Sequence, residues 1–161
     1  MSIIAKRITL ERITPPHAQR IIDRNEKPGD AWHPEYPFAD ELAPLRALAQ
    51  STEPDSRFTM YLIRRNRDGL AVGGLGFIGA PDADGCVEFG YGLVPAARGS
   101  GLATEAVRAA LDFAAANGAL RAMADTTVAN LASQRVLEKA GLTETRRGDS
   151  SLYYQCELRD R

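Results

Sequence analysis

With 161 residues the chain is close to the length of one domain, about 150 residues, and 44% apolar with 25% charged residues exclude a disordered tail or a fibrous repeat. Twenty Lys and Arg against 21 Asp and Glu leave a formal charge of −1, so no overall positive field recruits nucleic acid or an anionic membrane, although a local patch could. The longest uncharged stretch, Leu70 to Pro81, falls short of the ~20 apolar residues of a membrane span, and charge at Lys6 and Arg7 leaves no room for a signal-peptide core. These features predict one soluble cytoplasmic domain over residues 1–161, monomeric or homodimeric. Cys86 and Cys156 form no CxxC pair and read as reduced thiols, and His17 and His33 have no second ligand at helical spacing, so no metal is expected.

In chain order, Arg7 to Ile13 alternates apolar and polar residues as a half-buried strand does. Thr14-Pro15 starts a helix over Pro15 to Asn25, with Thr14 as N-cap. Glu26 to Phe38 has no period and reads as a loop rich in turn residues and aromatics. Asp40 is placed to cap a helix over Glu41 to Gln50, where Pro44 is tolerable in the first turn. Arg57 to Arg65 and Leu70 to Gly79 form a hairpin about Asn66-Arg67-Asp68-Gly69, and Cys86 to Val94 adds a third antiparallel strand. Ala103, Ala106, Val107, Ala110, Leu111 and Ala114 mark one face of a long helix that ends at Asn117-Gly118. A strand over Leu120 to Val128, a helix over Asn130 to Ala140 closed by Gly141, and strands near Leu142 to Arg147 and Leu152 to Leu158 complete the chain.

Two glycine-rich segments invite a phosphate-binding interpretation, and their context separates them. Gly74-Leu75-Gly76-Phe77-Ile78-Gly79 matches GxGxxG, but it lies inside a strand and opens no helix, so close strand packing is the better reading. Arg98-Gly99-Ser100-Gly101 instead joins a strand to a helix. The unpaired N–H groups at the start of that helix carry partial positive charge and can hold a diphosphate. No Gly-Lys-Ser/Thr follows, which excludes a nucleoside-triphosphate P-loop.

Arg98-Gly99-Ser100-Gly101-Leu102-Ala103 resembles the Gln/Arg-x-x-Gly-x-Gly/Ala pyrophosphate motif of the GNAT superfamily of acyl-coenzyme A-dependent N-acetyltransferases. Glu88-Phe89-Gly90-Tyr91 is similar to the fourth-strand motif of the branch that holds the ribosomal-protein N-terminal (RimJ/RimL-type) acetyltransferases. The run Asn130 to Leu142 is similar to its Asn-x-x-Ser-x-x-Val-Leu-Glu-Lys-x-Gly-Phe/Leu. The resemblance implies an α/β fold with a mixed, mostly antiparallel sheet of about seven strands flanked by about four helices, in line with the element order above. It further implies acetyl transfer from acetyl-CoA to a primary amine by direct attack, with a protein or peptide N-terminus as first acceptor and a small amine as second.

By the same resemblance, backbone groups around Gly92, Leu93 and Val94 take the pantetheine arm and the thioester oxygen, where a main-chain N–H suits an oxyanion. Arg98, Gly99, Ser100, Gly101, Leu102, Ala103 and Thr104 surround the diphosphate. Asn130 meets the cofactor arm, or serves only as a helix N-cap. Glu88, a carboxylate in an apolar and aromatic strand, is a candidate base, the alternative being a solvated strand-edge residue. Ser133 matches the branch's serine and is a candidate proton donor to the leaving thiolate, with Tyr153 and Tyr154 as fallbacks; each can equally be a packing residue. Trp32, His33, Tyr36 and Phe38 fall where the family places an acceptor-facing loop, with Asp30 and Glu35 available to attract an amine, unless the aromatics simply pin the loop to the core. Two other functions stay open: a non-catalytic acyl-CoA sensor of the same fold, and a nucleotide-binding regulator that uses the Arg98–Gly101 turn.

Overall fold

Alternating apolar residues in the first half of the chain build a meander, and the glycine turn after it starts the longest helix. A computed structural model, describing residues 1–52, 56–159 and 161, contains β1 (Ser2–Ile4), β2 (Ile8–Arg12), α1 (Pro15–Ile22), α2 (Leu42–Ala49), β3 (Met60–Arg65), β4 (Ala71–Phe77), β5 (Cys86–Leu93), α3 (Leu102–Ala116), β6 (Arg121–Thr127), α4 (Leu131–Lys139), β7 (Thr143–Arg147) and β8 (Ser151–Glu157). The described strands form one eight-stranded sheet in the order β1-β2-β3-β4-β5-β6-β8-β7. Every adjacent pair is antiparallel except β5 and β6. The mixed, mostly antiparallel α/β architecture and four α-helices agree with the expected fold. The strand beyond the expected seven is β1, whose three residues pair with β2 from Ser2↔Glu11 to Ile4↔Thr9 and are too few for alternation to register.

Local chemistry accounts for the element ends. Thr14 caps α1 by accepting the His17 N–H at 3.3 Å. That helix stops at Ile22 rather than Asn25 because Arg24 turns into the left-handed region at φ 54°. Asp40 makes no capping bond. Residues Ala39–Glu41 instead tighten into a 3₁₀ turn ahead of α2, and Glu41 in that turn is only 6% exposed. The GxGxxG segment runs along β4 as a strand and no helix follows it.

The sheet carries different loads on its two faces. Phe58, Tyr61 and Phe77 meet Phe113 of α3, with ring centroids 5.3–6.5 Å apart within the cluster, and Val87, Phe89, Ala106 and Val107 add to this core. The opposite face receives Phe38 over Gly92 and Glu41 over Gly74. The loop supplying Phe38 is anchored by Asp30, which binds both the Arg20 guanidinium and the Lys27 N–H, and by Trp32, which bridges to Ala71 and stacks on His17 of α1. Among the described residues no helix is long and apolar enough to cross a membrane, and no group of three or more His, Cys, Asp or Glu is placed to hold a metal ion.

The Arg20 guanidinium holds the Asp30 carboxyl down at about 2, from an ordinary 3.8. This contribution is complete above pH 3.8 and fades as pH falls through about 2. We therefore expect Asp30→Asn to destabilise the protein by about 1–3 kcal/mol at neutral pH. In urea unfolding the gap from wild type should start to close below pH 4. A gap unchanged down to pH 3 would contradict the pairing.

Candidate active site

The site begins where two strands part. β5 and β6 pair only from Cys86↔Arg121 to Glu88↔Met123, although β5 continues to Leu93 and β6 to Thr127. Beyond Glu88 the edge of β5 that faces β6 has no strand partner among the described residues. Its other edge stays paired with β4 from Phe77↔Phe89 to Gly73↔Leu93. The Ile78 N–H donates to Glu88 O and the Val94 N–H to Val72 O. Strand alternation then turns the backbone groups of Tyr91 and Leu93 toward the opening. This refines the expected trio. The Val94 N–H is taken by Val72, Gly92 is in register with Gly74 on β4, and Leu93 is the member that borders the gap.

The glycine turn closes the end of the gap. Gly99 and Gly101 sit at φ 89° and 85°, a left-handed conformation that suits glycine, and Gly101 is the N-cap of α3. Leu102 and Thr104 are buried and Ala103 is half-buried, so the first helical turn offers its main chain rather than its side chains. Arg7 braces the turn: Nη1 donates to Ser100 O at 2.8 Å and Nε to Glu105 at 2.9 Å. Arg98 folds back so that Nε donates to Leu93 O at 3.0 Å. Lys6, Arg7, Arg65, Arg67 and Arg98 line a cleft of about 650 Å³ beside the turn. Arg65 is neutralised by Asp68 at 2.7 Å, whereas Lys6 and Arg67 have no ion pair among the described residues. The near-neutral chain thus concentrates positive charge at one place.

On the α3 and α4 side of the gap, Tyr91 OH and Ser133 Oγ are 2.9 Å apart. Burial raises the Tyr91 phenol above its ordinary 10, which keeps it a hydrogen-bond donor at neutral pH. Asn130 caps α4 through Oδ1, which accepts the Ser133 N–H at 3.1 Å. Its amide NH₂ is left for another partner. Ser133 therefore reaches the gap together with a tyrosine that the Glu-Phe-Gly-Tyr motif contained but to which sequence reasoning gave no role. Tyr153 is not part of that pair. It lies on β8, in register with Asp125 of β6, under the Arg146 guanidinium 4.1 Å from its ring centre. Tyr154 points to the other face of the strand, toward Glu138 at 3.5 Å.

The acceptor-side loop separates into anchors and wall. Trp32 is core and Asp30 is spent on Arg20, so neither faces a substrate. His33 Nδ1 accepts the Glu35 N–H, and the Glu35 carboxylate accepts the Ala96 N–H at 3.1 Å, tying the loop to the chain just ahead of the glycine turn. Phe38 lines a cavity of about 260 Å³ with Glu41, Pro44, Met60, Phe77, Ile78 and Tyr91 among its other walls. Glu41 carries the only buried carboxylate among the described residues lining it: Oε2 accepts from Tyr36 OH at 2.7 Å, and the group lies so close to Gly74 that a Cβ there would overlap it. Burial lifts this carboxyl from 4.5 to about 7 against the lowering effect of the tyrosine. Glu88 is half-exposed on the same face by alternation with Gly90 and Gly92, and it does not line the cavity.

Residues 7–143 match the acetyltransferase (GNAT) domain. The chain belongs to the GNAT acetyltransferase family. An uncharacterized N-acetyltransferase, YjdG, of Bacillus subtilis (strain 168) is 28% identical over 109 residues, which cover 67% of this chain and 65% of that protein; the chain thus spans less than two thirds of the length of this curated relative. Among solved structures, a probable GNAT acetyltransferase from Chromobacterium violaceum superposes with a TM-score of 0.68 at 26% identity, covering 98% of this chain and 86% of the other. RimL, the ribosomal L7/L12 alpha-N-protein acetyltransferase in complex with coenzyme A, superposes with a TM-score of 0.71 at 18% identity, covering 98% of each chain. GNAT neighbours therefore include the ribosomal-protein acetyltransferases to which the sequence motifs are similar.

Linkage gives Glu41 a stability signature of its own. Below pH 4.5 the carboxyl is neutral whether folded or not; as pH rises from 4.5 to about 7 folding has to take up a proton, at a growing cost, and above about 7 it buries the charge. Glu41→Gln keeps an acceptor for Tyr36 and should match wild type at pH 4.5. It should exceed wild type above pH 7 by up to about 3 kcal/mol. Thermal melts across this range check it, and a difference independent of pH would contradict the buried position.

Proposed function

We propose that the protein transfers an acetyl group from acetyl-CoA to a primary amine by direct attack. The observation that carries this is the open edge of β5 running straight into the glycine turn that caps α3. A linear ligand with a diphosphate at one end and an amide-bearing arm at the other suits this arrangement. The Gly99–Gly101 turn and the first N–H groups of α3 hold the diphosphate, with Lys6, Arg67 and Arg98 available to a further phosphate. Gly101 sits at φ 85° and a Cβ there would come within 3.2 Å of the Arg7 guanidinium, so glycine suits the turn and leaves its main chain open to a phosphate. The backbone of Tyr91 and Leu93 and the Asn130 amide pair with the arm, much as an added strand would.

Transfer then needs four things from the chain. It must align amine and thioester, which can be worth about 7–11 kcal/mol in a good geometry. It must stabilise negative charge on the thioester oxygen, a role for the Leu93 N–H. It must take one proton from the amine, for which Glu88 and Glu41 lie on the same face of the sheet. Finally it must return a proton to sulfur as the C–S bond breaks, and the Tyr91–Ser133 pair is the donor on the gap. Atoms balance: an N–C bond forms, a C–S bond breaks, and one proton passes from nitrogen to a carboxylate while another reaches the thiolate. A peptide or protein N-terminus is the first acceptor under this reading, and small amines are the second.

The test is a melting-temperature screen with acetyl-CoA, CoA, ATP and NAD. A ligand at 100 times its Kd adds about 2.7 kcal/mol, so both coenzyme forms should raise Tm while ATP and NAD do not. Gly101→Asp, which puts a side chain and a negative charge at φ 85°, should abolish the shift. Stabilisation by ATP or NAD alone would contradict the reading, as would no response to either coenzyme form.

A further inference from the structure

We propose that the Glu41 carboxylate, held by the Tyr36 hydroxyl over Gly74, receives the acceptor's amino group and takes its proton, and that the acceptor is a primary amine bearing one positive charge on a compact apolar body, such as the α-amino group of a peptide that begins with an apolar residue. This rests on the acetyl-transfer reading and narrows it. A buried carboxylate is ordinarily paired with a cation, yet among the described residues no cation pairs with Glu41, whose one side-chain hydrogen bond is from Tyr36 at 2.7 Å. The groups facing it from neighbouring elements are Tyr36 in the loop, exposed Asp40 at the cavity rim and, further along β5, half-exposed Glu88. Arg64 acts on the Tyr36 phenol from β3 but is itself bound to Glu11 and to the Ala31 and Gly69 carbonyls. The site thus has negative charge and no counter-charge, so an incoming ammonium completes it.

Position supports a role in the reaction. Gly74 lies beside Gly92 in the β4–β5 register, so Glu41 is about one strand spacing, ~4.8 Å, from the strand that borders the gap. Glu88 is four residues from Gly92 along β5, roughly 13 Å at the rise of an extended strand. Composition of the cavity sets the substrate class. Phe38, Pro44, Met60 and Ile78 present apolar walls, and the one carboxylate besides Glu41 among the described lining residues is exposed Asp40 at the rim, so the interior offers no partner to the second and third charges of a polyamine or an amino sugar. The volume of about 260 Å³ is below the ~300–1,000 Å³ usual for drug-sized ligands. Basicity agrees: passing a proton from an α-amino group, about 7.7–8.0, to a carboxyl near 7 is uphill roughly tenfold, against more than a thousandfold from an alkyl amine near 10.4.

Acetyl-CoA cleavage is to be followed with alaninamide, phenylalaninamide, phenethylamine and spermidine, using the full chain and its Glu41→Gln, Glu88→Gln and Tyr36→Phe variants. The amino-acid amides should exceed spermidine in kcat/KM by roughly tenfold or more, in line with the basicity gap. Glu41→Gln should lose about 100-fold, the lower range of general base catalysis, at unchanged acetyl-CoA affinity. Tyr36 donates to the Glu41 carboxylate and thereby lowers its pKa, so Tyr36→Phe should move the acidic limb of the kcat/KM profile to higher pH. The amine's own titration is common to both enzymes and cannot produce that displacement. The inference is overturned by any of four results: near-wild-type rates in Glu41→Gln, an unmoved limb in Tyr36→Phe, loss of the acidic limb in Glu88→Gln alone, or preference for spermidine. Turnover of none of the monoamines by a protein that acetyl-CoA stabilises overturns it too and leaves cofactor binding intact. Absence of that stabilisation overturns the acetyl-transfer reading itself.

Discussion

The arrangement depends on a broken contact: two parallel strands that begin hydrogen-bonded and then separate. Pairing of β5 with β6 ends at Glu88↔Met123, and main-chain groups that would otherwise be satisfied within the sheet are left facing outward. Leaving such groups without a partner in an apolar setting costs free energy comparable to a lost hydrogen bond, so the opening persists because the rest of the sheet fixes both strands independently. β5 is held on its other side by β4 over Phe77↔Phe89 to Gly73↔Leu93, and β6 by β8 over Arg121↔Glu157 to Thr127↔Ser151. Each strand keeps a partner on its other edge through the region of the split. A ligand arm that supplies the missing partners adds to an existing sheet instead of demanding a new one.

Glycines on β4 and β5 make the second half of the site. Gly74 and Gly92 are in register, and a Cβ at either would collide with Glu41 or Phe38. The missing side chains allow the loop before α2 to lie directly on the sheet, which is the physical sense of the GxGxxG run that mimics a dinucleotide motif. They also allow a carboxylate to be buried with a tyrosine as its hydrogen-bonding partner. Burying ionisable groups is costly unless the charge is paired or withdrawn, and here the carboxyl responds with a pKa near 7. The core on the opposite face, where Phe77 packs on Phe113 of α3, offsets that cost.

Periodicity was enough to read most elements, because β2, β5, α3 and α4 have clear alternation or a clear helical stripe and clear terminators such as Thr14, Gly118 and Gly141. The glycine turn was readable because Gly99 and Gly101 occur between a strand and a helix, the one context in which their conformation matters. Glu41 was not. It follows Asp40, which has the composition of a helix cap, and only the 3₁₀ turn that replaces the cap rotates Glu41 inward. That rotation is a tertiary effect of Tyr36 and Gly74, residues five and 33 positions away. Tyr91 was overlooked for a related reason: its partner Ser133 is 42 residues distant, and pairing across that separation leaves no local pattern. The placements of Tyr153, in register with Asp125, and of Trp32, bridged to Ala71, are likewise set by pairings distant in the sequence.

A crystal structure of the protein with coenzyme A tests the central claim most directly. The account predicts the diphosphate on the main chain of Gly99–Gly101 and the pantetheine arm between β5 and β6, hydrogen-bonded to the backbone of Tyr91 and Leu93, with the sulfur directed toward the Tyr91–Ser133 pair. Coenzyme bound elsewhere, or the two strands drawn together with their edges paired to each other, would contradict it.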